Sequence, residues 1–249
     1  MASSAKRVLI MGGTTEAREL SVLLERAGIG ALTSLAGVTR HPAEPAGDLR
    51  KGGCGGVSGL KDFLAREQPG AVCDATHPFA AQMSNHVAEA TGALGIPLLR
   101  LERPPWEAQP GDNWQVFNDI SAAVEGVPRN SRVFLTIGRK EAPVFFARSD
   151  ITGVARMIEP LESAAPRGWR IILQRPPYSY GDELNLMRKQ SFTVLVTKNS
   201  GGGVMRAKLD AARAIGCPVI MIARPNKPKA ATEAAPEAAA ARLASMLSA

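Results

Sequence analysis

The chain carries a glycine pair and a threonine pair side by side, Gly12, Gly13, Thr14 and Thr15, between an apolar run and an amphipathic run. Glycine lets a backbone approach a phosphate closely, and the amides that open a helix bind anions. The threonine hydroxyls add hydrogen-bond donors and can cap that helix. The pattern therefore indicates a phosphate site. A plain capped strand-to-helix turn is the alternative, because the complete Gly-x-Gly-x-x-Gly fingerprint is missing.

The polar residues after the second apolar run bear on which dinucleotide such a site would hold. A protein that reads the unmodified ribose of NAD places an acid about 20 residues after the glycines. This chain has no acid there and instead offers Ser34, Thr39, Arg40 and His41. These side chains suit a 2′-phosphate, so they favour NADP over NAD, although an ordinary polar loop has a similar composition.

Two further loops in the first half have the composition of ligand-binding loops. Four of the five residues Gly52–Gly56 are glycine, and two basic residues precede them, which favours an anion site over a flexible surface loop. The stretch DATHPFA follows the end of a predicted strand, and Pro78 can open a helix there, with Thr76, His77 and Ser84 at the ligand edge. The spacing of His77 and His86 does not suit a metal shared on one helix face, so no metal site is predicted.

Two loops of the second half combine glycine with fixed positive charge after apolar runs. They are Gly138–Lys140 and Lys198–Gly203. A helix start next to a lysine or arginine is the combination that binds an anion, and a solvated basic loop is the alternative. Because the two loops occupy equivalent topological positions, we favour carboxylate or phosphate binding.

These loops must be positioned by the elements between them, and the chain alternates strand and helix patterns almost throughout. Runs typical of strands are Arg7–Met11, Ala31–Leu35, Ala71–Asp74, Pro97–Leu101, Arg132–Ile137, Trp169–Leu173, Thr193–Val196 and Pro218–Ile222. Runs typical of helices are Glu16–Ala27, Gly59–Arg66, Ala80–Ala93, Asp182–Lys189, Gly203–Ile215 and Glu237–Leu247. This alternation predicts an α/β fold with parallel sheets covered by helices on both faces.

The segment Pro104–Asn113 interrupts the alternation with prolines and a glycine. Such a composition is typical of a connection between domains. We therefore predict two domains, residues 1–103 and residues 104–249.

Composition and charge exclude several classes of protein. No run approaches the about 18 consecutive apolar residues of a membrane span, and the first residues lack the apolar core of a secretory signal, so we expect a cytoplasmic protein. The three cysteines lack zinc-ligand spacing and fit a reducing compartment. The net charge of +7 indicates an anionic partner. Because the basic residues are scattered and aromatic residues make up only 5% of the chain, a polyanionic small molecule is favoured over nucleic acid.

The motifs that carry these features resemble, in order, those of the precorrin-6A reductase family. They are GGTTEAREL, SLAG, GGCGG, DATHPFA, LRLERPPW, TIGRKE, VTKNSGG and AKLDAAR, within residues 7–225. Among them DATHPFA and TKNSGG are specific to the family. The resemblance implies an NADPH-dependent enzyme of cobalamin biosynthesis. It also implies two Rossmann-like domains that exchange their last strands and have a ligand cleft between them, the first domain binding NADPH and the second the tetrapyrrole.

The resemblance also implies site residues by position. Those implied for the NADPH site are Gly12, Gly13, Thr14, Thr15, Ser34, Ala36, Gly37, Thr39, Arg40, Gly53, Cys54, Gly55, Gly56, Thr76, His77, Pro78 and Phe79. Those implied for the acetate and propionate groups of the tetrapyrrole are Arg139, Lys140, Lys198, Asn199, Ser200, Gly201 and Arg224. The chain departs from the family pattern at Val38, where arginine is frequent, and at Cys54, where an aromatic residue is usual. These departures affect the 2′-phosphate contact and a stacking surface, respectively.

The implied reaction transfers a hydride from NADPH to one carbon of a macrocycle double bond in precorrin-6A, while a neighbouring carbon takes a proton, giving precorrin-6B. No side chain in the motifs is an evident proton donor, and Lys198, Tyr178 and water are all candidates. A polycarboxylate substrate would account for the positive charge, and the next enzyme of the pathway is a further implied partner. The alternatives are a different NADPH-dependent reductase and a non-catalytic NADP-sensing protein.

Overall fold

The computed structural model describes residues 7–35 and 44–248 of the chain. The strands in these ranges are β1 (Val8–Met11), β2 (Ala31–Leu35), β3 (Asp48–Lys51), β4 (Ala71–Asp74), β5 (Leu98–Leu101), β6 (Trp114–Phe117), β7 (Arg132–Thr136), β8 (Thr152–Met157), β9 (Trp169–Leu173), β10 (Val194–Lys198), β11 (Val219–Ile222) and β12 (Ala231–Glu233). The helices are α1 (Thr15–Arg26), α2 (Gly56–Glu67), α3 (Ala81–Leu94), α4 (Ile120–Glu125), α5 (Ala142–Phe146), α6 (Tyr180–Gln190), α7 (Ala207–Ala214) and α8 (Pro236–Ser248). Over the described ranges, none of these helices has the length and apolar character needed to cross a membrane.

The chain divides into two compact units. The first comprises Met1–Arg103 together with Asn226–Ala249, and the second comprises Pro104–Pro225. The division after Arg103 falls at the start of the predicted connection. The expectation that residues 104–249 form one domain is wrong for the tail, because β12 pairs with β5 and α8 packs against α1, both in the first unit.

Each unit contains a six-stranded sheet in which every observed pairing is parallel. The strand order is β12-β5-β4-β1-β2-β3 in the first sheet and β6-β11-β10-β7-β8-β9 in the second. In each sheet, starting from β1 or β7, the chain first adds strands on one side of this central strand and then on its other side. This reversal lies between β1 and β4 in the first sheet and between β7 and β10 in the second. This arrangement confirms the predicted α/β fold with two Rossmann-like sheets. Ligands of such sheets bind beyond the carboxyl ends of the strands, at the point of reversal.

The core of the first unit has two faces, as the alternation of side chains along a strand requires. Val8 and Ile10 of β1 pack with residues of α1 and α8, including Leu20 and Leu243. The intervening residues of β1 face the opposite layer, which α2 and α3 supply. Because both faces of β1 are covered, all four of its residues are buried, which explains why the strand is a continuous apolar run.

The second unit buries its sheet in a comparable way. Phe134 of β7 and Leu195 of β10 pack against Met187 of α6 and Leu209 of α7. Helices α4 and α5 contact each other, and α4 lies against β6 and β11. The second sheet is therefore also positioned by helices that follow its strands in sequence.

The exchange of strands implied by the family resemblance is present. Strand β6 follows β5 in the chain but pairs with β11 in the second sheet. Strand β12 lies far from β5 in sequence but pairs with it in the first sheet. The last strand of the chain, β12, therefore completes the first sheet, whereas β6, the first strand after the crossover, completes the second sheet.

Local sequence patterns did not predict six short elements. These are β3, β6, β8, β12, α4 and α5. Three of them, β3, β6 and β12, are edge strands, and their residues are half-buried or exposed, so they lack the apolar runs by which the central strands were recognised. Helix α7 also begins at Ala207 rather than at Gly203, because Val204 and Met205 form a turn before the helix.

Candidate functional site

The predicted ligand loops of the first unit lie at one edge of its sheet. Residues Gly12–Thr15 follow β1, the Gly52–Gly56 loop follows β3 and Thr76–Phe79 follow β4. Because these strands are parallel, their carboxyl ends share one edge. Backbone hydrogen bonds join the loops to neighbouring strands. The amide of Gly12 donates to the Ser34 carbonyl at 3.0 Å, and the amide of Gly52 donates to the Leu35 carbonyl at 2.9 Å.

The two glycines after β1 serve different purposes. A Cβ atom on Gly12 would lie 2.8 Å from Cγ2 of Thr33, so the close packing of β1 against β2 requires glycine there. Gly13 has a φ of +118°, and a Cβ atom built on it would meet nothing within 4 Å. The backbone at Gly13 thus borders open space beside the amino end of α1, which is the space that a bound phosphate needs.

Thr14 caps α1 and joins the loops on either side of the reversal point. Its Oγ1 accepts a hydrogen bond from the Ala17 amide at 3.1 Å and donates to the Ala75 carbonyl at 2.9 Å. Both hydrogen-bonding functions of this hydroxyl are therefore used within the protein. Of the two functions considered for Thr14 from sequence, the geometry supports helix capping.

The buried carboxylate of Asp74 anchors the loop after β4. Asp74 Oδ1 accepts from the hydroxyl of Thr76 at 2.7 Å, and Asp74 Oδ2 accepts from Nε of Arg100 at 3.4 Å. Arg100 also donates to the Pro228 carbonyl at 2.9 Å. This hydrogen bond connects the loop after β4 to the segment Asn226–Ala249, which belongs to the same unit. His77 is exposed, and its Nδ1 accepts from the amide of Phe79 at 3.2 Å. The hydrogen bonds of Thr76 and His77 therefore stabilise the conformation of the loop after β4.

Arg50 is a functional candidate that no sequence motif indicates by itself. Its guanidinium lies among the hydroxyl of Ser34, the Gly52 and Gly53 carbonyls and the thiol of Cys54. The available signal was the pair of basic residues before the glycine-rich loop. The contact with Ser34, however, depends on the pairing of β2 with β3, and β3 was not predicted.

Four residues implied for the coenzyme site lie outside the described residues. They are Ala36, Gly37, Thr39 and Arg40. Their assignment stays a prediction from sequence.

The basic loops of the second unit also meet at one edge. The loop containing Arg139 and Lys140 follows β7, Lys198 ends β10, and Arg224 follows β11. These three strands are adjacent in the sheet, and β7 and β10 flank the reversal point. Lys198 forms an ion pair with Glu141, with Nζ 2.7 Å from Oε1. The structure thus brings together the substrate residues suggested by sequence at the position where this fold binds ligands.

Some of these residues also support the loop after β10. Arg224 donates from Nε to the Asn199 carbonyl at 2.9 Å and from Nη2 to the Ser200 carbonyl at 3.2 Å. The side chain of Asn199 pairs with both backbone groups of Trp106, at 2.7 and 2.9 Å. Gly201 has a φ of +68°, and a Cβ atom on it would lie 2.1 Å from the Pro104 carbonyl oxygen. The loop is therefore anchored by Arg224, Asn199 and the backbone of Trp106, and no sequence motif indicates the contribution of Trp106.

The two proton-donor candidates lie in different parts of the second unit. Tyr178 follows β9, which is three strands away from β10, a separation of about 14 Å at ordinary strand spacing. Its hydroxyl donates to the Gln174 carbonyl at 3.0 Å, and its ring lies 3.7 Å from Cζ of Arg156. Burial raises the pKa of Tyr178. Lys198 therefore lies with the other predicted substrate residues, and Tyr178 does not.

A buried charge cluster lies between the second sheet and its helices. Arg156 of β8 and Glu183 of α6 form a two-point ion pair, in which Nη2 lies 2.8 Å from Oε2, and both side chains are 2% exposed. Lys208 of α7 is equally buried, with Nζ 5.3 Å from the centroid of the Trp106 ring. Burial lowers the pKa of Lys208 to about 7, the charge of Arg156 acts in the same direction, and Glu183 opposes it. Close to pH 7, Lys208 is therefore partly neutral.

Comparison with known proteins identifies the family. The model of the precorrin-6x reductase family CbiJ/CobK matches residues 7–244. A precorrin-6A reductase of Rhodococcus erythropolis is 46% identical over 226 residues, which cover 90% of this chain and 91% of the relative. A precorrin-6A reductase of Mycobacterium tuberculosis (strain CDC 1551 / Oshkosh) is 48% identical over 224 residues, covering 89% and 90%. The solved structure of a CobK precorrin-6A reductase matches with a TM-score of 0.92 at 41% identity, covering 97% of each chain. The chain therefore belongs to the precorrin-6x reductase family CbiJ/CobK.

Proposed function

We propose that this protein reduces one double bond of the precorrin-6A macrocycle with NADPH, giving precorrin-6B in the cytoplasmic synthesis of cobalamin. The observation that carries the proposal is the pair of Rossmann-like units in a chain of this family. The ligand edge of the first unit is rich in glycine, and that of the second is rich in basic residues. These two compositions suit a dinucleotide and a polycarboxylate, respectively.

The first unit has the features of a coenzyme site. The open space beside Gly13 and the amino end of α1 would hold the pyrophosphate, because helix amides and a positive-φ glycine together favour an anion. Thr14 and Thr76 would stabilise the loops after β1 and β4 through hydrogen bonds within the protein, without contacting the coenzyme. When bound, NADPH would supply the hydride.

The second unit has the features of a tetrapyrrole site. Arg139, Lys140 and Lys198 would bind acetate and propionate carboxylates, since charge-assisted hydrogen bonds are the strongest contacts available to such groups. Arg224 and Asn199 would act indirectly, by fixing the backbone of the loop that carries Lys198 and Ser200. Several charged contacts remote from the reacting bond would fix the orientation of the ring.

The proton for the second carbon is assigned in this proposal to Lys198. Its ammonium group lies at the reversal point of the second sheet, paired with Glu141 at 2.7 Å. Glu141 would hold the ammonium in position and, through its own contact with solvent, allow it to be protonated again after each turnover. Tyr178 fits this task less well, because its hydroxyl donates to a backbone carbonyl.

The test is direct. Purified protein, NADPH and precorrin-6A are mixed, and the nicotinamide absorbance is followed together with the mass of the tetrapyrrole. We expect one NADPH to be oxidised for each macrocycle that gains two hydrogens, with no change when the protein is omitted. Binding of NADPH without any change in the tetrapyrrole would refute the proposal and favour an NADP-sensing protein.

A further inference from the structure

Arg50 stands beside the end of the second strand of a dinucleotide-type sheet. It is paired in register with Ser34 across β2 and β3, and its Nη1 lies 3.2 Å from the hydroxyl of Ser34. In sheets of this kind, the residues at the end of the second strand face the adenosine ribose. An acid there reads the 2′-hydroxyl of NAD, whereas a nearby arginine accommodates the 2′-phosphate of NADP.

The guanidinium of Arg50 is held in one orientation. Nη1 donates to the Gly52 carbonyl at 2.8 Å, and Nη2 donates to the Gly53 carbonyl at 2.9 Å. Its Cζ lies 4.6 Å from the centroid of the Phe63 ring, which belongs to the buried face of α2. A guanidinium fixed on a ring and two carbonyls loses little freedom when a ligand arrives, which strengthens binding.

Arg50 also keeps its charge and part of its donor capacity for a ligand. In the part of the chain that the structure describes, no carboxylate forms an ion pair with it, in contrast to Lys198, which pairs with Glu141. A guanidinium has five N–H donors. In the same ranges, the N–H of Nε and one N–H of Nη2 have no protein acceptor. The side chain is only partly buried, and its Nη2 contact with Gly53 lies at the exposed surface, so a ligand can approach the guanidinium from that side.

We infer that Arg50 binds the 2′-phosphate of NADPH and so makes the enzyme select NADPH over NADH. The inference rests on the proposed function, namely that the first unit binds a nicotinamide coenzyme. It adds the residue that discriminates between the two coenzymes. It differs from the expectation drawn from sequence, which assigned this contact to Ser34, Thr39, Arg40 and His41.

The experiment measures dissociation constants by fluorescence titration of NADPH and NADH with the wild-type protein and the Arg50→Gln variant. Loss of a charge-assisted contact is expected to weaken NADPH binding by about 10- to 100-fold and to leave NADH binding within about twofold. Adenosine 2′,5′-bisphosphate, used as a competitor, should lose affinity in the same proportion, and 5′-AMP should not. Arg66→Gln is the matched control. Arg66 also lies over the Phe63 ring, at 5.5 Å, but its side chain is 68% exposed and pairs with Glu67.

The ratio of the two dissociation constants separates recognition from loop support. An equal loss of NADPH and NADH affinity in Arg50→Gln would show that Arg50 only anchors the glycine loop, and the inference would be wrong. The same conclusion would follow if Arg40→Gln, rather than Arg50→Gln, abolished the preference. If wild-type protein bound neither coenzyme, the proposed function would fail as well. If Arg50→Gln does not fold, Arg50→Lys is measured in its place. This variant keeps the positive charge but lacks the planar guanidinium, so its preference for NADPH over NADH is expected to be reduced. An unchanged preference would refute the inference.

Discussion

Replacing Lys208 with methionine is expected to stabilise the second unit near neutral pH, and this gain should shrink as the pH rises. Lys208 is 2% exposed and lies near the Arg156–Glu183 pair. Burial is the main reason why the pKa of Lys208 falls from 10.5 to about 7. Methionine has a similar shape and carries no proton, so the substitution removes the cost of burying the ammonium.

The magnitude follows from the difference in pKa between the folded and unfolded chains. Between pH 7 and pH 10.5 the unfolded chain holds a proton on Lys208 that the folded chain has released, so wild-type stability rises with pH in this window. Each unit of pKa corresponds to about 1.4 kcal/mol. The free-energy advantage of Lys208→Met should therefore fall by about 4 kcal/mol across the window and be constant below it.

Urea unfolding followed by tryptophan fluorescence suits this test. All three tryptophans of the chain, Trp106, Trp114 and Trp169, belong to the second unit, so their emission reports on that unit. Free energies of unfolding are measured for wild type and variant from pH 6 to pH 10, and their difference is plotted against pH. Lys189→Met is the control, because Lys189 is exposed on α6 of the same unit. Its difference from wild type should not follow this curve.

A difference between Lys208→Met and wild type that does not change with pH would refute the reasoning. It would mean that Lys208 keeps its proton in the folded protein throughout the range. The packing of the methionine side chain adds only a constant to the difference, so it cannot imitate the expected slope.

Three further predictions concern the second unit. Lys198→Met should lower kcat, because the proposed proton donor is lost, and should raise the KM for the tetrapyrrole about tenfold or more while leaving the KM for NADPH unchanged, as steady-state kinetics will show; a weaker NADPH interaction instead would contradict the assignment of ligands to the units. Glu183→Gln should lower the free energy of unfolding by about 3–5 kcal/mol, because Arg156 would be left buried without its counter-charge; a loss below about 1 kcal/mol in urea unfolding would show that the pair is not effectively buried. Gly201→Ala should raise the KM for the tetrapyrrole and lower stability, since alanine disfavours the positive φ at this position and its Cβ would collide with a carbonyl oxygen; wild-type values of both would show that the loop moves easily.

Much of the fold was predictable because its central elements are coded locally. The buried strands β1, β4, β10 and β11 are short apolar runs, and the helix that follows β1 has an apolar stripe and a capping threonine. Parallel strands have all their carboxyl ends at one edge, so the gathering of Gly12–Thr15 with Thr76–Phe79 could also be predicted. The roles of these residues toward a coenzyme stay predictions.

The sequence by itself determined the alternation of strands and helices, the glycine and basic loops that follow the predicted strands, and the family. Only the tertiary structure decided which sheet β6 and β12 join. These strands have three or four residues that are half-buried or exposed, and their partners lie far away in the chain or in the other half of it, so no local pattern encodes the choice. The position of Arg50 was decided in the same way. Its contact with Ser34 depends on the register of two neighbouring strands, and register is a property of the assembled sheet.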